Sequence, residues 1–157
     1  MDSDEESRLF REAKEIQYGG KVEYLTYMKF LGIAGGGEKS IGGICFIING
    51  TLFFEDFEQQ NTIVGFLLGG KKSDWEKTEF SLPLSMIERI RFVSEQDALM
   101  CMRGHIDENS IAPVRGWTRF FIKRVLHVSL RENAPGFFID PINANEFIRA
   151  CFLGEEE

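Results

Sequence analysis

The sequence predicts an α+β domain. Successive β-hairpins wrap into an antiparallel barrel, or into two sharply bent sheets, and a C-terminal helix closes it. Three observations lead there. Asn49-Gly50 separates two apolar runs, 44–48 and 51–54, and a type I′ turn needs positive φ at both central residues, which Asn and Gly adopt most readily. Residues 120–130 alternate, with Phe120, Ile122, Leu126, Val128 and Leu130 on one side and Lys123, His127, Ser129 and Arg131 on the other, the period of a strand with one face on a core. Ala144, Phe147, Ile148, Cys151 and Phe152 recur at helical spacing behind Asn143 as cap, with Glu146 at the capping-box position.

A chain of 157 residues is one domain with room for a sizeable core. Fifteen phenylalanines suit a core between a curved sheet and a helix. The formal charge of −7 argues against a nucleic-acid partner, whose affinity comes from neutralising phosphates. Asp2, Asp4, Glu5, Glu6, Glu155, Glu156 and Glu157 sit at the two ends, and without them the body is near neutral. The expected organisation is an acidic helical extension over 1–21, the barrel domain over 22–153 and an acidic tail over 154–157. Cys45, Cys101 and Cys151 are too few and too scattered for a disulfide framework or a zinc site, and Cys45 and Cys151, inside apolar runs, read as small core residues. No basic-then-apolar leader and no run of membrane-spanning length is present, so a cytoplasmic protein without a transmembrane segment is expected.

The elements follow in order. Ser3 can cap a helix over 3–17, with Glu6 three residues on and Leu9, Phe10, Ala13 and Ile16 forming an apolar stripe that ends at Gly19-Gly20. A strand is expected over 22–33, a flexible loop over 35–40, the Asn49-Gly50 hairpin, and a strand over 62–68 leading to a mobile tip at Gly69-Gly70-Lys71-Lys72. Phe80, Leu82 and Leu84 alternate with polar residues and with Pro83, which marks an edge strand, and 84–92 reads as a short helical turn running into a strand. Residues 104–116, polar and containing His105 and Pro113, read as an exposed loop.

Hairpins followed by one capping helix resemble the pleckstrin-homology superfold, and within it the GRAM and bacterial PH-like group. The run 43–54 is similar to that group's early hairpin, 80–90 to its apolar-Pro-apolar turn, and 137–141 with the helix to its ending. The resemblance spans about 22–153 and implies a non-catalytic binding or scaffolding domain. Phosphoinositide-binding members carry several basic residues near the first hairpin, where this chain has Lys29 and Lys39. An intracellular protein or peptide is therefore the first partner expected, and an anionic lipid headgroup the second.

Candidate site residues are few. Arg115, Arg119, Lys123, Arg124, His127 and Arg131 concentrate positive charge in one segment and could form an anion or partner patch. Arg115 and Arg119 also have the spacing that PilZ domains use for cyclic di-GMP, which makes a PilZ-like receptor the alternative; the later Asp/Asn-x-Ser-x-x-Gly element is replaced here by His127-Val128-Ser129-Leu130-Arg131-Glu132. Lys71, Lys72 and Trp75 could touch a membrane interface from a loop tip. His105 with Asp107 and Glu108, and the run Glu55-Asp56-Phe57-Glu58, read as solvated surface. No nucleophile–base pair, metal set or cofactor motif is recognisable, so no enzyme activity, metal or cofactor is expected.

Overall fold

The structure, a computed structural model, describes residues 3–56 and 79–152. Its elements are α1 (Ser3–Tyr18), β1 (Val22–Ile33), β2 (Gly37–Ile48), β3 (Thr51–Asp56), β4 (Glu79–Pro83), β5 (Ile87–Ser94), α2 (Glu95–Met102), β6 (Arg124–Leu130), β7 (Phe137–Pro141) and α3 (Ala144–Phe152). The seven strands form one antiparallel, curled sheet in the order β4-β3-β2-β1-β7-β6-β5. With its N-terminal helix and its C-terminal capping helix, this is the α+β, PH-like barrel architecture expected from the sequence.

The two edges of the sheet are consecutive in sequence. Pro83 ends β4, a 3₁₀ turn over Leu84–Met86 follows, and Ile87 begins β5. This corner is held by Leu84 N–H donating to Gly50 O at 2.9 Å and by Arg131 N–H donating to Met86 O at 2.9 Å. It brings the two edges together without a ladder between them. β1 serves both halves: it pairs with β2 along its length and with β7 over Met28–Ile33, and a bulge falls between Phe30 and Gly32 in both ladders. Gly32 has φ +149°, and a Cβ there would lie 2.7 Å from Met102 Sδ of α2. A side chain would therefore push the bulge off the helix that covers it.

Alternation sorts the side chains into two faces. The inner face holds Met28, Phe30, Cys45, Ile47, Leu52, Phe54, Leu126, Val128, Phe137 and Ile139, and α3 fills it with Phe147 and Cys151. Asn143 caps α3 as expected, accepting from Glu146 N–H at 3.2 Å. Burying Phe147 completely contributes roughly 2–3 kcal/mol. The outer face is covered in two places. α1 lies over Val22, Ile44, Phe46 and Ile48, and α2 lies over Val93, Val125 and Phe138. Both faces of β6 are thus buried from Val125 to Ser129, so it is not a one-sided strand.

Three sequence expectations change, and one apolar run without an expected element gains one. α1 meets the sheet through Phe10 and Tyr18, with Phe10 5.5 Å from Phe46 and Tyr18 4.3 Å from Phe53. Of the expected stripe only Phe10 faces the sheet; Leu9 and Ala13 are exposed, and Ile16 is 85% exposed. Residues 37–40 are not loop but the start of β2. Apolar residues 99–102 belong to α2, whose Ser94 cap accepts from Asp97 N–H at 3.1 Å. The strand expected over 120–130 begins only at Arg124, after a 3₁₀ turn over Gly116–Phe120. The expected strand 62–68 and Lys71, Lys72 and Trp75 lie outside the described residues.

Candidate functional site

The chain between α2 and β6 is pinned at Glu108, at Val114 and at Lys123, and the part between the last two projects. The first pin is Glu108. Its Oε1 lies 2.7 Å from His127 Nε2, and its carboxylate accepts from Gly136 N–H at 3.1 and 3.3 Å. His127 is 1% exposed and stacks on Phe138 with centroids 4.9 Å apart. Arg91 Nε–H donates to His127 Nδ1 at 3.3 Å, so Nδ1 carries the lone pair and Nε2 carries the proton that it donates to Glu108. Burial holds the imidazole below its ordinary pKa of 6.5 against the opposing pull of Glu108, and Arg91 and Arg89 push the same way as burial. The ring is therefore neutral at pH 7. Desolvation also lowers the pKa of Arg91, whose Nη2 is buried with no partner among the described residues. Gly136 has no substitute: a Cβ there would run into the Glu108 carboxylate and the Val128 carbonyl.

Ile111, 3% exposed, follows Glu108 into the core beneath α2. Val114 N–H then donates to Phe92 O of β5 at 2.9 Å, and on the return Glu95 N–H donates to Lys123 O at 2.9 Å. Residues 104–116 are thus partly a packed cover, not the exposed loop expected from their polarity. Beyond Val114 the character changes. Trp117, Phe120, Phe121 and Ile122 are 72%, 73%, 76% and 43% exposed. Trp117 and Phe121 meet edge to face at 5.6 Å. The Arg119 guanidinium lies 4.9 Å from the Phe120 ring centroid. No acidic residue falls between Glu108 and Glu132, a span that contains Arg115, Arg119, Lys123, Arg124 and Arg131.

The structure does not gather the six expected patch residues on one face. Arg115 precedes the projecting turn and Arg119 lies within it, and both are exposed. Lys123 is exposed and ion-paired with Glu95 at 2.8 Å. Arg124 stacks over Phe92 at 4.5 Å. Arg131 sits at the far end of β6, donating to Ser85 O at 3.0 Å and so bracing the β4–β5 corner. His127, expected on a solvated strand face, is a core residue. Phe120 and Ile122, expected on the core face, are in solvent. The sequence did carry a signal for this: adjacent Phe120 and Phe121 break the period of two, and Trp117-Thr118-Arg119 shows none.

With the geometry in place, the comparisons are brief. No protein-family model and no curated protein matches this chain. Among solved structures, the C-terminal domain of an unknown protein from Leishmania infantum is similar, with a TM-score of 0.53, 12% identity, and coverage of 96% of this chain and 98% of that one. At that identity the likeness is one of fold.

Other features are less organised. A polar cleft of about 620 Å³ lies beside the Glu108 pin, lined by Glu88, Arg89, His105, Asp107, Asn109 and Asn133 among others. His105, Asp107 and Glu108 form no metal-ligating group among the described residues, and Glu108 is committed to His127 and Gly136. Glu55 pairs with Lys14 of α1, and Asp56 is 3% exposed, so neither belongs to a solvated acidic run. No helix among the described residues is long and apolar enough to cross a membrane.

Proposed function

We propose that this chain is a non-catalytic binding domain of the pleckstrin-homology-like kind, and that residues 115–124 are its recognition surface. One observation carries the reading. A domain whose other described phenylalanine rings are buried or half-buried leaves Trp117, Phe120 and Phe121 about three-quarters exposed on a turn held at both ends. Contiguous exposed apolar side chains of that size mark interaction sites. The strand order and the terminal capping helix support the pleckstrin-homology-like reading.

The His127–Glu108 pair superficially has the form of a base and its orienting acid. Its geometry favours a structural role. Nε2 is occupied by Glu108 and Nδ1 by Arg91, so neither ring nitrogen is available to a substrate proton. The cyclic di-GMP reading has less support. Ser129 is buried in β6, five positions beyond Arg124, roughly 16 Å along the strand from the end where Arg115 and Arg119 lie.

Site-directed photo-crosslinking tests the reading. A benzoylphenylalanine at Phe121 and, separately, at Glu88 beside the cleft is activated in the source cell. Adducts from position 121 and none from 88 are expected. Adducts from 88 alone would move recognition to the cleft. Titration with cyclic di-GMP is expected to give no heat.

A further inference from the structure

We infer that residues 115–124 dock on the surface of an anionic lipid bilayer, with Trp117, Phe120, Phe121 and Ile122 entering the interface and Arg115, Arg119, Lys123 and Arg124 lying among the headgroups. This rests on the recognition surface proposed above and names its partner. The composition of the segment selects a bilayer. Its three rings, at three-quarters exposure and about 150–250 Å² each, present roughly 350–550 Å² of apolar surface, ample for an interfacial anchor, whose binding scales with buried apolar area. Trp beside Phe, bordered by arginines and by Lys123, with no acid between them in sequence and Glu95 paired to Lys123, matches the layering of a bilayer edge, where indole rings sit at headgroup level and cations meet anionic lipid.

The place on the fold matters. The β1–β2 turn lies against the β6–β7 turn, where Ala34 N–H donates to Gly136 O at 2.9 Å. Residues 115–124 enter β6 at its other end, seven residues and roughly 20 Å away. The inferred docking element is therefore separate from the first hairpin and needs no headgroup pocket. It reads surface charge and interfacial packing, not the stereochemistry of one lipid.

The test is flotation of the full chain with two kinds of vesicle: phosphatidylcholine alone, and phosphatidylcholine with roughly 30 mol% phosphatidylserine, where each cation near the surface is worth about a five-fold change in binding. Binding to the anionic vesicles only is expected, weakening as salt shortens the screening length. R115Q/R119Q is expected to weaken it by about ten-fold or more. W117S/F120S/F121S is expected to weaken it by a similar factor at low salt. Trp117 in a W75F background, where it is the sole indole of the two, is expected to shift to the blue on binding. Equal binding to both vesicles, no binding to either, or an unshifted indole overturns the inference. So does concentration-dependent self-association abolished by W117S/F120S/F121S, or binding to polyglutamate that survives that variant, since these would make the partner a second copy or an acidic protein. A vesicle failure together with adducts from position 121 removes the bilayer and keeps the recognition surface. Failure of both removes the surface itself.

Discussion

Glu108 Oε1 lies 2.7 Å from His127 Nε2, and that contact ties the cover between α2 and β6 to the middle of β6. The pair has a direct consequence for pH. His127 has a folded-state pKa below its ordinary 6.5, with burial as the main cause. A group with a depressed folded pKa contributes fully above its unfolded pKa, and the contribution is lost as pH falls toward the folded value. The groups facing the ring are Glu108 at Nε2 and Arg91 at Nδ1, with Arg89 nearby, and the two arginines reinforce the direction set by burial. Stability should therefore fall from pH 6.5 downward, by up to about 1.4 kcal/mol per pH unit from this group. Urea unfolding between pH 7.5 and 5, compared with His127→Gln, checks it: the variant loses stability at pH 7.5 and shows a shallower slope below about 6.5.

Gly136 supplies the backbone donor of the same pin. Gly136→Ala is expected to destabilise the domain by about 1–3 kcal/mol, because the new methyl occupies the seat of the Glu108 carboxylate. Hydrogen exchange in that variant should rise first at residues 104–114. Unchanged protection there would mean that the cover is held by Ile111 and Val114 alone.

α3 is the second structural commitment. Phe147 is fully buried among inner-face residues. Phe147→Ala is expected to cost about 3–5 kcal/mol, and Phe147→Asp, which buries an unpaired charge, to unfold the domain. Thermal denaturation followed by circular dichroism reads both.

The three thiols should be silent in the native protein. Burial pushes Cys151 up to about 12, and Cys45 and Cys101 are also raised. Thiolate is the reactive form, so all three are expected to react with Ellman's reagent only after unfolding. Rapid native labelling at Cys45 or Cys151 would mean that α3 opens readily.

Most of the architecture was legible because it follows from period and turn chemistry. Asn49 and Gly50 take φ of +50° and +72° as the hairpin demands, and the α3 stripe meets the core that its spacing implied. What stayed hidden depended on partners distant in sequence. Nothing near His127 announces Glu108, 19 residues upstream, or Arg91, 36 residues upstream. A polar residue at an alternating strand position reads as solvent-facing until the segment that covers it is known. Phe120 and Ile122 depart in the opposite sense: apolar character implies burial, and here both side chains stand in solvent. The stripe of α1 holds only at Phe10, which meets the sheet with Tyr18, a residue outside the stripe, while Leu9 and Ile16 lie on a line of the helix that faces solvent.

The central claim is that residues 115–124 serve recognition and not stability. The measurement is the unfolding free energy of W117S/F120S/F121S alongside its association with anionic vesicles. The account predicts stability within about 0.5 kcal/mol of the wild type, as for exposed sites, together with lost association. A stability loss above about 2 kcal/mol would contradict it, placing those rings in the hydrophobic interior of the protein in solution.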